Sequence, residues 1–481
     1  MIRSAYKLLS TEQHPETPAA VSSAHHLTPG QSMSNAWQRF VATEELLSFL
    51  NTRSLQSKTT IKVATLFHVS TSVTYVTKIT NSEGEECSIP DLPEGVSSSF
   101  PLFSLPGDGL IFKSETFTNT STITNSEDLI SALFKAGFET DDIFLRDGEN
   151  YKAKLILLLG TKAKNLKVFL TRTGKEPAIS ICRLILPEPK MARLPSEFEQ
   201  LSSVRVGIVG LGSVGSKIAA SLARSGIKNF LLIDDDYLIP ENLVRHELTW
   251  THAGVHKVEA VCDFLKLIVP NIKVETRKTR LAGQVSALTS AVTLRDLSNC
   301  DILIDATANP EVFLLMAAVA EKYNKPIFWG EVFAGGYGGL IARARPERDP
   351  NPISVRDAIH AHLATLPPAP YQNSQGYDVD IGNPLLAFDS DVGVISTALT
   401  RMIIDTALGH DPSQFPNSVY LIGMRKEWIF QAPFDTHPID VHGIGWNVDI
   451  EPVSDEDRLR FLQSLLCIYE ETSRADSKPS S

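Results

Sequence analysis

Three glycines, Gly210, Gly212 and Gly215, stand in the spacing GxGxxG within VGIVGLGSVGSKIAASLARSG. Between an apolar strand and an amphipathic helix, that spacing suits a phosphate. The first glycine permits a tight turn, the second lets backbone approach the ligand, and the third lets helix and strand pack closely. The helix start adds free N–H groups and a positive dipole end. Nineteen residues after Gly215, Asp234 closes the second apolar run, where a carboxylate accepts hydrogen bonds from a ribose. NAD and ATP both carry an adenosine ribose, so these residues alone do not choose between them.

The following stretch, DDYLIPENLVRHELTWTHAGVHK, does choose. A dehydrogenase has no general need for Asn, Arg and Lys directly after its ribose carboxylate. An adenylating enzyme does, because its transition state gathers charge on the α-phosphate and the departing pyrophosphate. Arg245 offers a fork for phosphate oxygens, Lys257 a point charge and Asn242 a neutral donor. Two rivals stay open. One is a NAD-dependent oxidoreductase, and the other is a catalytically degenerate scaffold that binds nucleotide without turnover.

This constellation resembles the ThiF/MoeB/HesA family, which includes the catalytic half of ubiquitin-activating enzymes. The resemblance is carried by the three glycines, Asp234, Asp236, NLVR at Asn242–Arg245, the Gly254–Lys257 turn and ILIDATANP at Ile302–Pro310. It is clear from Val204 to Val332 and extends to about Ile439. It implies an enzyme that binds ATP and Mg2+ and adenylates the C-terminal glycine carboxylate of a ubiquitin-like or sulfur-carrier protein. On that resemblance Asp234 and Asp236 join the glycines and Asn242 around the nucleotide. Arg245, Lys257 and Asp305 serve catalysis, with Asp305 at the metal.

Three departures from the family pattern matter. Many relatives carry D-x-T-D-N, and here the second Asp is replaced by Ala308, which cannot ligate a hard cation. Many relatives hold zinc through paired CxxC motifs. None exists here, so no structural zinc is expected. Relatives that run a full cascade use a catalytic cysteine, yet no cysteine falls between Asp301 and Leu466. Cys467 is the weak candidate for a functional thiol. Direct transfer of the activated tail to a ubiquitin-conjugating-like enzyme is the expected alternative. The stretches RPERDPNP and LIGMRKEWIFQAPFDTHPID resemble relatives from bacterial ubiquitin-like conjugation operons, which implies a role in antiviral defence.

The chain must position these residues within 481 residues of ordinary globular composition and a formal net charge of -11. That charge disfavours generic nucleic-acid binding. No apolar run is long enough for a membrane span, and the first residues lack a secretory core, so a cytoplasmic protein is expected. Five scattered cysteines argue against a disulfide framework. The fold expected is α/β, a Rossmann-like, doubly wound, mainly parallel sheet, preceded by an α+β domain. Its parts are a mobile segment (1–35), an α+β accessory domain (36–190) that is either partner-docking or a degenerate adenylation domain, the adenylation domain (191–440), and a C-terminal helix and tail (441–481). WQRFVATEELLSFLN reads as a helix with Thr43 as N-cap for the run from Glu44. Strands and helices alternate strictly from Val204 to Val332. Residues 346–385 read as a long excursion, Asp391–Leu408 as a helix whose apolar stripe is core or a homodimer face, and SVYLIGM with EWIFQAP as a late strand pair.

Overall fold

The computed structural model describes residues 36–446 apart from 81–83, 90–91, 98–103, 120–122, 163–164, 188–193, 283–285, 371–386 and 444. The N-terminal segment, Cys467 and the expected C-terminal helix therefore lie outside the described residues. The chain divides into two units between Ala192 and Arg193.

The first unit is a mixed sheet that closes on itself. Its strands are β1 (Gln38–Val41), β2 (Ser57–Phe67), β3 (Ser72–Thr80), β4 (Glu86–Ser88), β5 (Ser104–Lys113), β8 (Leu155–Leu159), β9 (Lys167–Thr171) and β10 (Ile179–Ile185), with β6 (Arg146–Asp147) and β7 (Asn150–Tyr151) forming a separate short hairpin. The order is β1-β10-β9-β8-β5-β2-β3-β4, and β1 also pairs with β3, giving a barrel-like closure. Closure pairs both edges of β1 and leaves the three-residue β4 as an edge. Helix α1 (Glu44–Thr52) begins where expected, with the Thr43 hydroxyl accepting from the Leu46 N–H. The preceding QRFV is not helical, however. It is β1, with Phe40 fully buried between two parallel partners. Helix α2 (Ser126–Lys135) packs Leu129 and Leu133 inward.

The second unit is an eight-stranded sheet covered on both faces. Five parallel strands run in the order β13 (Lys273–Arg277), β12 (Asn229–Ile233), β11 (Arg205–Val209), β14 (Ile302–Asp305), β15 (Ile327–Val332). Three antiparallel strands extend it: β16 (Gly338–Ala344), β17 (Val419–Gly423) and β18 (Thr436–Ile439). The parallel part is Rossmann-like and doubly wound. Its strand order reverses between β11 and β14, where open α/β sheets bind ligands.

Alternation along the strands assigns the two faces. Val206, Ile208 and Phe230 pack with α3 (Ser213–Arg224), α4 (Lys257–Ile268) and α8 (Asp389–Ala407). Leu231, Leu303 and Ile327 pack with α5 (Ala287–Ser298), α6 (Pro310–Tyr323) and α7 (Pro352–Thr365) on the other face. Two helices differ from the sequence reading. α5 was not expected, and α7 interrupts the expected excursion. EWIFQAP is also not a strand. Trp428 adopts a left-handed φ of 59°, and the Phe430 ring packs over Gly338 and Gly423. The partner of β17 is β18 instead.

Candidate functional site

A cleft of about 590 Å³ opens at the carboxyl ends of the parallel strands. That size suits a nucleotide-scale ligand. Gly210, Gly212, Asp234, Asp236, Asn242, Arg245 and Lys257 all line it. Gly215 and Asp305 do not.

The glycine loop is shaped by contacts that exclude side chains. Gly210 has φ +86°, and a Cβ there would lie 2.8 Å from the Thr307 Cγ2 and 2.9 Å from the Ala306 carbonyl. A Cβ on Gly215 would lie 2.0 Å from the Gly210 carbonyl oxygen. Gly215 is therefore the packing glycine beneath the loop. Gly212 differs, because a Cβ there would meet nothing within 4 Å. It is the N-cap of α3, and no side chain caps that helix. The α3 N-terminus thus presents N–H groups and a positive dipole end to a space that a side chain at 212 would fill. These features fit a phosphate.

The Leu211 peptide is clamped from both sides. Its N–H donates to the Asp234 Oδ2 at 2.6 Å, and its carbonyl accepts from the His246 Nε2 at 2.8 Å. The His246 Nδ1 accepts from the Leu248 N–H at 3.3 Å. Both bonds require a neutral imidazole with its proton on Nε2. Burial pushes His246 down to about 4, with Lys257 and Lys217 adding to that effect and the Leu211 bond opposing it. The second Asp234 oxygen accepts from the Asp236 N–H at 2.8 Å. Burial raises the Asp234 carboxyl above the usual carboxylate range, against these two hydrogen bonds and Lys257.

Lys257 opens α4 and is only 9% exposed. Its Nζ pairs with Asp236 and its N–H with the Asp236 carbonyl. Burial works against the Asp236 charge, but the bonds from Lys257 and the Tyr237 N–H outweigh it and hold the carboxyl low. Asn242 and Arg245 sit on the short turn of helix Pro240–Val244 and its end. The Asn242 Oδ1 accepts from the Ile239 N–H at 3.2 Å, so its amide donors remain directed elsewhere.

Asp305 ends β14 and is 4% exposed. Its Oδ1 accepts from the Thr307 N–H (3.0 Å) and hydroxyl (2.7 Å), so it shapes the turn after the strand. Burial raises its carboxyl. Ala308 lines the cleft with a left-handed φ of 54°. The lining residues not singled out from the sequence include His246, Arg280 and Glu331. Arg280 lies 3.4 Å from Asp235. Glu331, at the end of β15, is open to the cleft but walled by it, and this enclosure raises its carboxyl despite His360 and Arg356 nearby. Among the described residues no group of three or more His, Cys, Asp and Glu is placed to hold a metal, and no helix is long and apolar enough to cross a membrane.

Residues 190–422 match the ThiF family. Over 229 residues the chain is 35% identical to the ATP-dependent ubiquitin transferase-like protein Cap2 of Vibrio cholerae, covering 44% of this chain and 36% of that protein. Over 191 residues it is 29% identical to ubiquitin-like modifier-activating enzyme 5 of Drosophila grimshawi, covering 39% and 48%. The crystal structure of Escherichia coli MccB with ATP aligns with a TM-score of 0.39 at 18% identity, over 52% of this chain and 67% of that one. The chain spans less than half the length of these two curated relatives.

Proposed function

Residues 190–422 carry a ThiF family domain, and from that premise we propose that this chain uses ATP to adenylate the C-terminal glycine carboxylate of a ubiquitin-like or sulfur-carrier protein. One observation carries the reading. An uncapped helix N-terminus, an open Gly212 and the side chains of Asn242, Arg245 and Lys257 meet in one cleft at the point where strand order reverses.

In the reaction, a carboxylate oxygen of the carrier attacks the α-phosphorus of ATP. The bond between the α-phosphorus and the bridging oxygen to the β-phosphorus breaks, and pyrophosphate leaves with that electron pair. No protein nucleophile or proton is required. Arg245 and Lys257 balance the charge that grows on the phosphates, and the α3 N-terminus adds fixed N–H donors. Asp234 receives the ribose while holding the glycine loop in register. Asp236 orients Lys257. Mg2+, when bound with the nucleotide, neutralises phosphate charge.

A thiolate, that of a ubiquitin-conjugating-like partner or of Cys467, then attacks the acyl carbon of the adenylate; the bond from that carbon to the phosphate oxygen breaks, AMP leaves, and a thioester forms. The likeness to Cap2 and to a modifier-activating enzyme supports a conjugation setting; a bacterial operon with antiviral function is the context proposed for it. The first unit, whose sheet closes like a barrel, is assigned to partner docking. A second reading, a nucleotide-binding scaffold without turnover, draws on Ala308 and on an Asp305 whose Oδ1 is already engaged by Thr307.

The test is ATP–pyrophosphate exchange with Mg2+ and candidate carrier proteins ending in glycine. Carrier-dependent exchange, lost in Arg245→Ala, is the expected result. ATP binding without exchange, for any carrier encoded beside this chain, favours the scaffold.

A further inference from the structure

We propose that Glu331 supplies the carboxylate for the nucleotide's divalent cation, at the end of the strand next to the turn that carries Ala308. This rests on the nucleotide reading above.

The register of the sheet brings the two positions together. β14 and β15 are parallel, with Asp305 opposite Trp329. Glu331 lies two residues beyond that pair and Ala308 three residues beyond it. Both line the cleft at the carboxyl edge of the sheet. Side chains alternate along a strand, so Glu331 shares the face of Trp329. Trp329 packs on Phe313 of α6, the helix that begins directly after the Ala308 turn, with ring centroids 4.9 Å apart. Gly330, on the opposite face, approaches Leu399 and Ile395 of α8. The Glu331 carboxylate is thus directed to the side on which the chain turns at Ala308.

Its chemistry is that of a ligand held in reserve. Among the described residues its side chain makes no hydrogen bond or ion pair, unlike Asp234, Asp236 and Asp305. Arg356, whose charge is felt at Glu331, is stacked 4.7 Å over the Phe313 ring. Mg2+ keeps several waters and is held through one or two carboxylates plus substrate phosphates, not by an all-protein cage. One free carboxylate beside a phosphate-binding loop meets that need.

The test measures ATP affinity of the full chain by calorimetry, with saturating Mg2+ and again with a chelator. The wild type should bind ATP more tightly with Mg2+. Glu331→Gln should lose roughly 10-fold or more of that gain, while in chelator, relieved of a negative charge beside the phosphates, it should bind ATP at least as tightly as the wild type. Ala308→Asp added to Glu331→Gln should restore the gain, a result that misfolding cannot give. Mn2+ bound with ATP, followed by its paramagnetic resonance, should show the same order of affinities. A Glu331→Gln chain with the full Mg2+ gain overturns the assignment and leaves the nucleotide reading intact. A wild type indifferent to Mg2+ also overturns it. A wild type that binds no ATP under either condition overturns both.

Discussion

Gly212→Ala and Gly215→Ala add the same methyl group three residues apart, and the structure assigns them opposite consequences. At 215 the new Cβ would lie 2.0 Å from the Gly210 carbonyl oxygen, where ordinary contact begins at 3.4 Å. The loop would have to move by roughly 1.4 Å. It has little freedom to do so, because Leu211 is tied to Asp234 and His246 and Gly210 abuts Ala306 and Thr307. Overpacking of this kind costs about 1–3 kcal/mol or more, which lowers a melting temperature by roughly 2–12 °C in a unit of this size. At 212 the methyl group enters open space, and φ of -71° lies outside the left-handed region that favours glycine. Stability should change by less than about 0.5 kcal/mol. The methyl group would instead stand where a phosphate meets the α3 N-terminus. Losing one charge-assisted hydrogen bond, at about 1.5–3 kcal/mol, weakens ATP binding by roughly 10- to 150-fold. Thermal unfolding and calorimetric ATP titration of both variants separate the effects. A folded Gly212→Ala that binds ATP like the wild type would refute the placement of phosphates on this loop. A Gly215→Ala of unchanged stability would refute the packing argument.

Two further outcomes follow from buried charge. His246 titrates near 4 in the folded chain against 6.5 in an ordinary setting. Below the ordinary value the unfolded chain binds a proton that the folded chain refuses, so stability falls as pH drops through this window. The wild type should lose roughly 1.5 kcal/mol between pH 6.5 and 5 that His246→Gln, which keeps an N–H donor but cannot titrate there, does not lose; urea unfolding at several pH values gives the difference. Arg343 is fully buried on β16 and donates to Asp405 (3.2 Å), Thr406 (3.0 Å), Ser413 (3.0 Å) and the Phe415 carbonyl (2.6 Å). Arg343→Met takes the guanidinium away from the buried Asp405 carboxylate, which keeps hydrogen bonds only from Ser413, Gln414 and His410, and should cost about 3–5 kcal/mol, read as a lower melting temperature.

The parallel sheet was legible because its strands are apolar runs separated by amphipathic helices, and burial on both faces demands that pattern. The missed helices lack such a pattern. In α5, Leu288 is 76% exposed and threonines break the stripe. In α7 only Pro352, Val355 and Ile359 are buried. The run Trp428-Ile429-Phe430 reads as a strand because it is apolar, yet its role is to fill the space that Gly338 and Gly423 leave open. QRFV merged with the following helix in the sequence because a four-residue strand carries too few alternations to set a period.

At the site, residue types were legible and their partners were not. GxGxxG, Asp234 and the Asn242/Arg245/Lys257 set announce themselves by spacing. The clamp on Leu211 joins residues 23 and 35 positions apart, and no local pattern records it. Asp305 is a carboxylate at a strand end, where either a ligand or the chain's own turn can engage it; only the fold shows that Thr307 takes one of its two oxygens. The Asp236–Lys257 pair carries the argument furthest. The lysine side chain is 11% exposed and the aspartate 55%. A buried ammonium needs a counter-charge before any ligand arrives, and Asp236 provides it from the rim. An ammonium has three donors, and this carboxylate engages one of them. A phosphate can therefore join Lys257 without evicting Asp236, and the lysine need not reorganise when the anion enters.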